Sequence, residues 1–421
     1  MTSTEIRLLE SDPRFRIASL LRKASLGTSI AVFLFACLFL SPGPGRAQDD
    51  SRKLRPPRPL QLDANVFIER DAKSGQLHLI EPGPPANSGA ANNKGAAPAL
   101  RVEVNLVPVN CNVYAPDGAS VAGLTSRNFR VFDDGIEERV AYFDAGNDPA
   151  SVALVIDASP SVLPEAGAMQ RAAKSLADIL APRDEISVVE FSAHSYVLLP
   201  FSRDREQLES VISHVDVKKL FSDTGGSNIY QTVYLTAARL FHGRAGRKAI
   251  LLLTDGEESG LNLLIGESTA PPPGEKFAKL AFDDVTQTLA VNGIELFAVS
   301  TQNRPKIMTD AWLDDHRNQT LLTEAVREKG VPAYTLFLAE LVRRAGGGLY
   351  FIREAESGRD AFARIAGNIR SEYTLGFYPS GENAARPGWH SLRVEVTDPG
   401  SGGPLRVVNR SAFYVPARPS R

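Results

Sequence analysis

The sequence predicts an α/β protein built on a doubly wound, mostly parallel sheet, with a smaller β unit formed jointly by the flanking N- and C-terminal segments. Continuous apolar runs alternate with helix-periodic segments from about residue 150 to 372, as expected of parallel strands buried on both faces with crossover helices between them. Residues 100–146 and 373–416 instead alternate apolar and polar positions and are broken by turn signals. The 421 residues, 43% of them hydrophobic, provide for about three domain-sized units. Lys plus Arg number 47 and Asp plus Glu 49, a net charge of −2, so no general positive field is available to hold a nucleic acid. Cys37 and Cys111 are the two cysteines, which excludes a disulfide framework.

In chain order, residues 1–47 read as a signal peptide. Arg14, Arg16, Arg22 and Lys23 precede an uncharged run from Leu26 to Leu40, which Pro42, Gly43, Pro44 and Gly45 terminate. The run is shorter than the ~20 residues of a membrane span, which favours cleavage, with an uncleaved anchor as the alternative. The mature protein is then secreted or held in the periplasm or cell envelope, touching a membrane only through this segment if uncleaved. Residues 48–99, rich in Pro, Gly, Ala and Asn, read as a disordered linker with strand character only at Gln76 to Ile80. Within 100–146, Val102 to Val113, Phe129 to Phe132 and Glu138 to Phe143 read as strands, with Asp134-Gly135 as a hairpin turn.

Strands are predicted at Ser151 to Ile156, Ile186 to Phe191, Ala249 to Leu253, Ile294 to Val299 and Leu349 to Ile352, with Tyr196 to Leu199 as an edge strand. Helices are predicted at Glu165 to Leu180, Arg205 to Val215, Ile229 to Phe241, Phe277 to Val291, Tyr334 to Arg344 and Arg359 to Arg370. Residues 261–275 and 302–333 lack periodicity and read as surface insertions. Tyr373 to Tyr378, Leu392 to Val396 and Val407 to Tyr414 are the C-terminal strands. Because 100–146 and 373–416 are each too small to enclose a core, they are expected to pair into one sheet or sandwich.

Ligand sites of doubly wound sheets lie beyond the C-terminal ends of the strands. Asp157-Ala158-Ser159-Pro160-Ser161 follows the first strand and places oxygens at i, i+2 and i+4. Thr254-Asp255-Gly256 follows a later one, and Gly225-Gly226-Ser227-Asn228 puts a hydroxyl ahead of a helix. Singly, each is as well explained by a cap or a turn; in this order after these strands they make one site. The donors are all hard oxygen, which suits Mg²⁺, Mn²⁺ or Ca²⁺ over Zn²⁺. Glu257 and Glu258 read as solvated rim charges, and the histidines show no metalloprotease spacing.

These motifs resemble the metal-ion-dependent adhesion site (MIDAS) of von Willebrand factor type A (VWA) domains, whose sheet is Rossmann-like. Gly123-Leu124-Thr125, Asn128 to Gly135 and Tyr373 to Pro379 further resemble the secreted bacterial VWFA-related proteins. The resemblance implies a VWA domain over 150–372, Ser159, Ser161 and Ser227 as direct ligands, and Asp157 and Asp255 holding Mg²⁺, or Mn²⁺ or Ca²⁺, through waters. It implies a non-enzymatic module that binds a protein partner through that partner's acidic side chain, completing the metal's open position. Two residues depart from the pattern: Ser227 stands where Thr is usual, and Pro160 where Gly is usual. The alternatives are a metal-activated hydrolase and a structural VWA protein with a degenerate site.

Overall fold

The computed structural model describes residues 59–64, 67–70, 77–80, 106–117, 119–146, 148–214, 227–258, 280–316, 319–323, 326, 329–352, 358–370, 373–397 and 404–416. The signal segment, the 261–275 insertion and Gly225-Gly226 lie outside them.

The first described strands are β1 (Leu60–Gln61), β2 (Phe67–Arg70) and β3 (Leu77–Ile80). They are followed by β4 (Val107–Tyr114), β5 (Phe129–Asp133), β6 (Ile136–Glu138) and β7 (Val140–Asp144). The α/β domain then runs β8 (Ala150–Asp157), α1 (Ala166–Ile179), β9 (Glu185–Phe191), β10 (Ser195–Ser202) and α2 (Arg205–His214). It continues α3 (Ile229–Leu235), β11 (Arg247–Thr254), α4 (Phe282–Asn292), β12 (Ile294–Ser300), α5 (Asp310–Asp315), α6 (Ala333–Ala345), β13 (Leu349–Phe351) and α7 (Gly358–Arg370). The last strands are β14 (Tyr373–Phe377), β15 (Gly388–Val396), β16 (Arg406–Asn409) and β17 (Ala412–Val415).

The main sheet has the order β1-β10-β9-β8-β11-β12-β13. Pairings from β9 to β13 are parallel, while β10 and β1 add antiparallel edges. Every residue of β8 and of β12 is buried, the physical counterpart of their unbroken apolar runs. One face carries α1, α2 and α7 through residues such as Met169, Leu208 and Phe362. The other carries α3, α4 and α6 through Val233, Leu289 and Leu341. The sheet is therefore doubly wound. The chain leaves β8 toward β9 and returns to β8's other side as β11, so a topological switch point falls between β8 and β11.

The flanks form a β-sandwich from two four-stranded sheets, β16-β4-β14-β7 and β17-β15-β5-β6. Each sheet combines strands from before and after the α/β domain, and both contribute to one core of Val109, Cys111, Phe129, Val131, Leu375, Phe377, Val394 and Phe413. The Asp134-Gly135 pair makes the hairpin between β5 and β6, with both residues at positive φ, 47° and 83°. Arg410 bolts the sandwich to the α/β domain, donating to the Ala290 carbonyl at 2.9 Å and the Pro108 carbonyl at 2.6 Å while almost wholly buried. Arg247 does the same beneath β8, bonding the carbonyls of Gly146, Asp148 and Ile369.

Three expectations need correction. The linker reading fails where 48–99 is described: β1 extends the main sheet against β10, Leu62 is buried, and Leu77 and Leu79 pack on the α3 side. The strand character read at Gln76 to Ile80 is β3, whereas Leu60 and Leu62 are isolated apolar residues in a polar background and no periodicity announces β1. Glu138 to Phe143 is not one strand, because the chain switches sheets at Arg139 and β6 and β7 pair in different sheets. The described part of 302–333 is more than a surface insertion: Met308, Leu321, Val326 and Val331 form a buried cluster with Leu336 and Ala339 of α6. Among the described residues no helix is long and apolar enough to cross a membrane.

Candidate metal centre

The site grows from the C-terminal ends of β8 and β11, which pair in parallel with Ile156 opposite Leu253. That register sets Asp157 beside Thr254 at the switch point. Thr254 Oγ1 donates to Asp157 Oδ2 at 2.6 Å, and Ser227 Oγ donates to the same oxygen at 3.3 Å. Asp157 Oδ1 accepts the Ser159 N–H at 2.9 Å, turning the loop back over the carboxylate. Ser159 and Ser161 hydroxyls lie 3.1 Å apart, the first buried and the second exposed. Asp157, Ser159, Ser161 and Ser227 thus converge on one hydrogen-bonded cluster.

Pro160 begins a 3-10 turn over Pro160–Glu165 that leads into α1. A proline at the first helical position loses no hydrogen bond, since that N–H would lack an intrahelical partner. The Gly-to-Pro departure therefore sits where the backbone tolerates it. Ser227 is held from behind: the Asn228 N–H donates to the Ser192 carbonyl at 3.0 Å, and Asn228 Nδ2 to the Ala193 carbonyl at 2.6 Å.

Asp255 follows Thr254. Its Oδ1 accepts the Glu257 N–H at 2.9 Å, while Oδ2 is buried with no hydrogen-bond partner among the described residues. Gly256 takes φ +84°, a conformation that favours glycine, and this lets the chain fold back beneath the carboxylate. Burial pushes the Asp157 carboxyl up to about 6; the Asp255 charge adds to the rise, and hydrogen bonds from Ser159 and Thr254 oppose it. A buried carboxylate oxygen lacking a donor, beside a second carboxylate forced upward by burial, is a cluster short of positive charge. The oxygen donor set fits a hard divalent cation. Asp157, Asp255 and the three serines would hold it, and the ion would supply the missing charge and an open coordination position.

Thr254 is the residue that sequence reasoning left out. In the sequence it stands only as the start of Thr-Asp-Gly, whereas its place opposite Asp157 follows from the strand register. Glu257 is exposed, as a rim charge should be; Glu258 is half-buried, and its carboxylate accepts the Tyr230 N–H at 3.2 Å in the first turn of α3.

Residues 152–258 match the family model of the von Willebrand factor type A domain. No curated protein matches the chain. Among solved structures, the chain is similar to an aerotolerance-related membrane protein of Bacteroides fragilis at 16% identity, covering 52% of this chain and 98% of that one with a TM-score of 0.36. It is similar to proximal thread matrix protein 1 of the mussel byssus, with a zinc-occupied MIDAS motif, at 14% identity, 57% and 50% coverage and a TM-score of 0.36. It is also similar to the vWF domain of a type V pilus tip protein of Porphyromonas gingivalis at 12% identity, 52% and 95% coverage and a TM-score of 0.34.

Proposed function

Starting from a chain that carries a von Willebrand factor type A domain, we propose an exported, non-enzymatic module that binds a protein partner through a divalent metal at the ends of β8 and β11. Ser159, Ser161 and Ser227 ligate the ion directly, and Asp157 and Asp255 hold it largely through waters. The observation that carries the reading is the buried Asp255 Oδ2, which has no donor among the described residues, next to a carboxylate raised to about 6. Neutral hydroxyls around the ion leave most of its charge uncompensated, so a partner's carboxylate is drawn to the open position. Mg²⁺ is the proposed ion, with Mn²⁺ or Ca²⁺ compatible with the same oxygen donors.

Binding rather than catalysis is favoured by what surrounds the carboxylates. Thr254, Ser227 and the Ser159 N–H occupy the Asp157 carboxylate, the Glu257 N–H takes Asp255 Oδ1 and leaves Oδ2 to the ion, and Glu258 is engaged at the start of α3. Metal-loaded protein should therefore show no turnover of generic ester, phosphoester or peptide substrates.

The test is capture from a cell-envelope extract with the full chain as bait. Partner retention is expected with Mg²⁺, lost with chelator, restored by added Mg²⁺ and absent for Asp157→Ala. Retention insensitive to chelator would reject the metal-bridged mechanism. Cell fractionation that recovers unprocessed protein from the cytoplasm would reject export.

A further inference from the structure

A cavity of about 510 Å³ lies between the β13 edge of the main sheet and the sandwich, and it shares no residue with the Asp157 cluster. That is the volume of a pocket for a small organic ligand or a few residues of peptide. The sandwich wall is made by β4 and β16. Val109, Cys111 and Val113 of β4 enter the sandwich core, so Asn112 and Tyr114 face the other way, into the cavity. The register Asn112↔Val408 and Tyr114↔Arg406 brings β16 onto the same wall.

The polar groups of this cavity differ in how they are satisfied. Tyr114 donates its hydroxyl to Asn368 Oδ1 at 2.9 Å, and Asn368 Nδ2 donates to the Tyr350 hydroxyl at 3.2 Å, a chain that links the two domains. Asn112 is 8% exposed, and its Oδ1 is buried without a hydrogen-bond partner among the described residues. Such a group costs ~1–3 kcal/mol. Its amide has the donor and acceptor pattern that complements a peptide group.

Charge and strand edges narrow the occupant. Arg406 lies 4.8 Å over the Tyr114 ring and Arg364 5.6 Å over the Tyr350 ring, both cations at the cavity wall. Two carboxylates also line the cavity: Glu295, whose charge acts on the buried Arg410, and Asp310, which lies 3.8 Å from Arg364 but is bound more closely, at 2.5 Å, by Arg304. Arg343, also lining the cavity, is held by Glu340 at 2.7 Å. Among the described residues β13 ends the main sheet and β16 ends its sandwich sheet, and both border this space. Terminal strands offer main-chain groups to an added strand.

The geometry points to this cavity as a docking groove for an extended acidic peptide. Its backbone amide meets Asn112, its main chain lies along the terminal strands, and its carboxylates reach Arg364 and Arg406. Phe297 and Val408 supply apolar wall for the alternate side chains. The groove is independent of the metal.

Fluorescence polarisation on the full chain tests this, with a fluorescein-labelled, acetylated hexapeptide alternating glutamate and valine and a lysine–valine counterpart, each in Mg²⁺ and in chelator. The acidic peptide is expected to bind equally in both buffers and at least ~10-fold tighter than the basic one. Arg364→Glu combined with Arg406→Glu should weaken it by ~10-fold or more, and these exposed positions leave folding intact. Asn112→Leu should weaken it while holding or raising Tm, since a buried unpaired amide is removed. Equal affinity for both peptides, absence of binding, or unchanged affinity in the double arginine variant would overturn the proposal. Binding abolished by chelator and by Asp157→Ala would assign the peptide to the metal site and overturn it equally.

Discussion

Two buried carboxylate clusters in the α/β domain are built on opposite principles. Glu340 of α6 has a fully enclosed side chain that receives Arg343 at 2.7 Å, Arg344 at 2.8 Å and the Leu321 N–H at 2.9 Å. Burial alone would push its carboxyl up, but the hydrogen bonds and charge of these donors outweigh it and hold it below the usual range. Asp157 at the end of β8 is equally buried but meets hydroxyls, one backbone N–H and the negative field of Asp255, so burial wins and it rises to about 6. The first cluster carries its own cations and locks the 302–333 segment onto the domain. Among the described residues the second has no cation beside its carboxylates, and that is the charge the proposed ion would supply.

Removing a partner from the complete cluster should have the largest effect. Glu340→Ala strips two arginines of their buried acceptor and is expected to cost ~3–5 kcal/mol in urea unfolding, with Mg²⁺ affinity unchanged in the protein that remains folded. A loss below ~1 kcal/mol would mean that the cluster adds little to stability.

The pH dependence of the two kinds of carboxylate should differ in sign. Glu340 is depressed in the folded state, so its stabilisation is present above the unfolded value of 4.5 and is lost as pH falls through the folded value. Glu190 on β9 is the reverse, since burial raises it from 4.5 to about 7. Stability from Glu190 is complete below 4.5 and is lost as pH rises through about 7, a difference of up to about 3 kcal/mol. Glu190→Gln should therefore exceed wild type in stability at pH 8 and match it near pH 4, as read by urea midpoints. A variant less stable at pH 8 would show that the carboxylate makes a needed contact.

At the incomplete cluster, Asp157→Ala should weaken divalent-metal binding ~10–100-fold without lowering the stability of the metal-free protein. The smallest effect is expected from Ser192→Ala. Ser192 supports Asn228 through its carbonyl, so losing the hydroxyl should change metal affinity and stability little, within ~0.5 kcal/mol.

The parallel strands were legible because burial on both faces leaves unbroken runs such as Val152 to Ile156, and the strand ends then located Asp157 and Asp255 without further information. Pairing between the two flanks was legible because neither could enclose a core by itself. Less legible were features fixed by single residues: Leu62 anchoring β1, Arg139 dividing β6 from β7, and Thr254 reaching Asp157 across the β8–β11 register. The contacts of Arg410 and Glu340 span elements far apart in sequence, and local periodicity carries no trace of them.

The central claim is that Asp157 and Asp255 await a cation, and isothermal titration of the metal-free full chain with Mg²⁺ measures it most directly. One ion should bind per wild-type chain, with affinity reduced ~10–100-fold in Asp157→Ala and again in Asp255→Asn. Equal Mg²⁺ affinity in wild type and both variants would contradict the account.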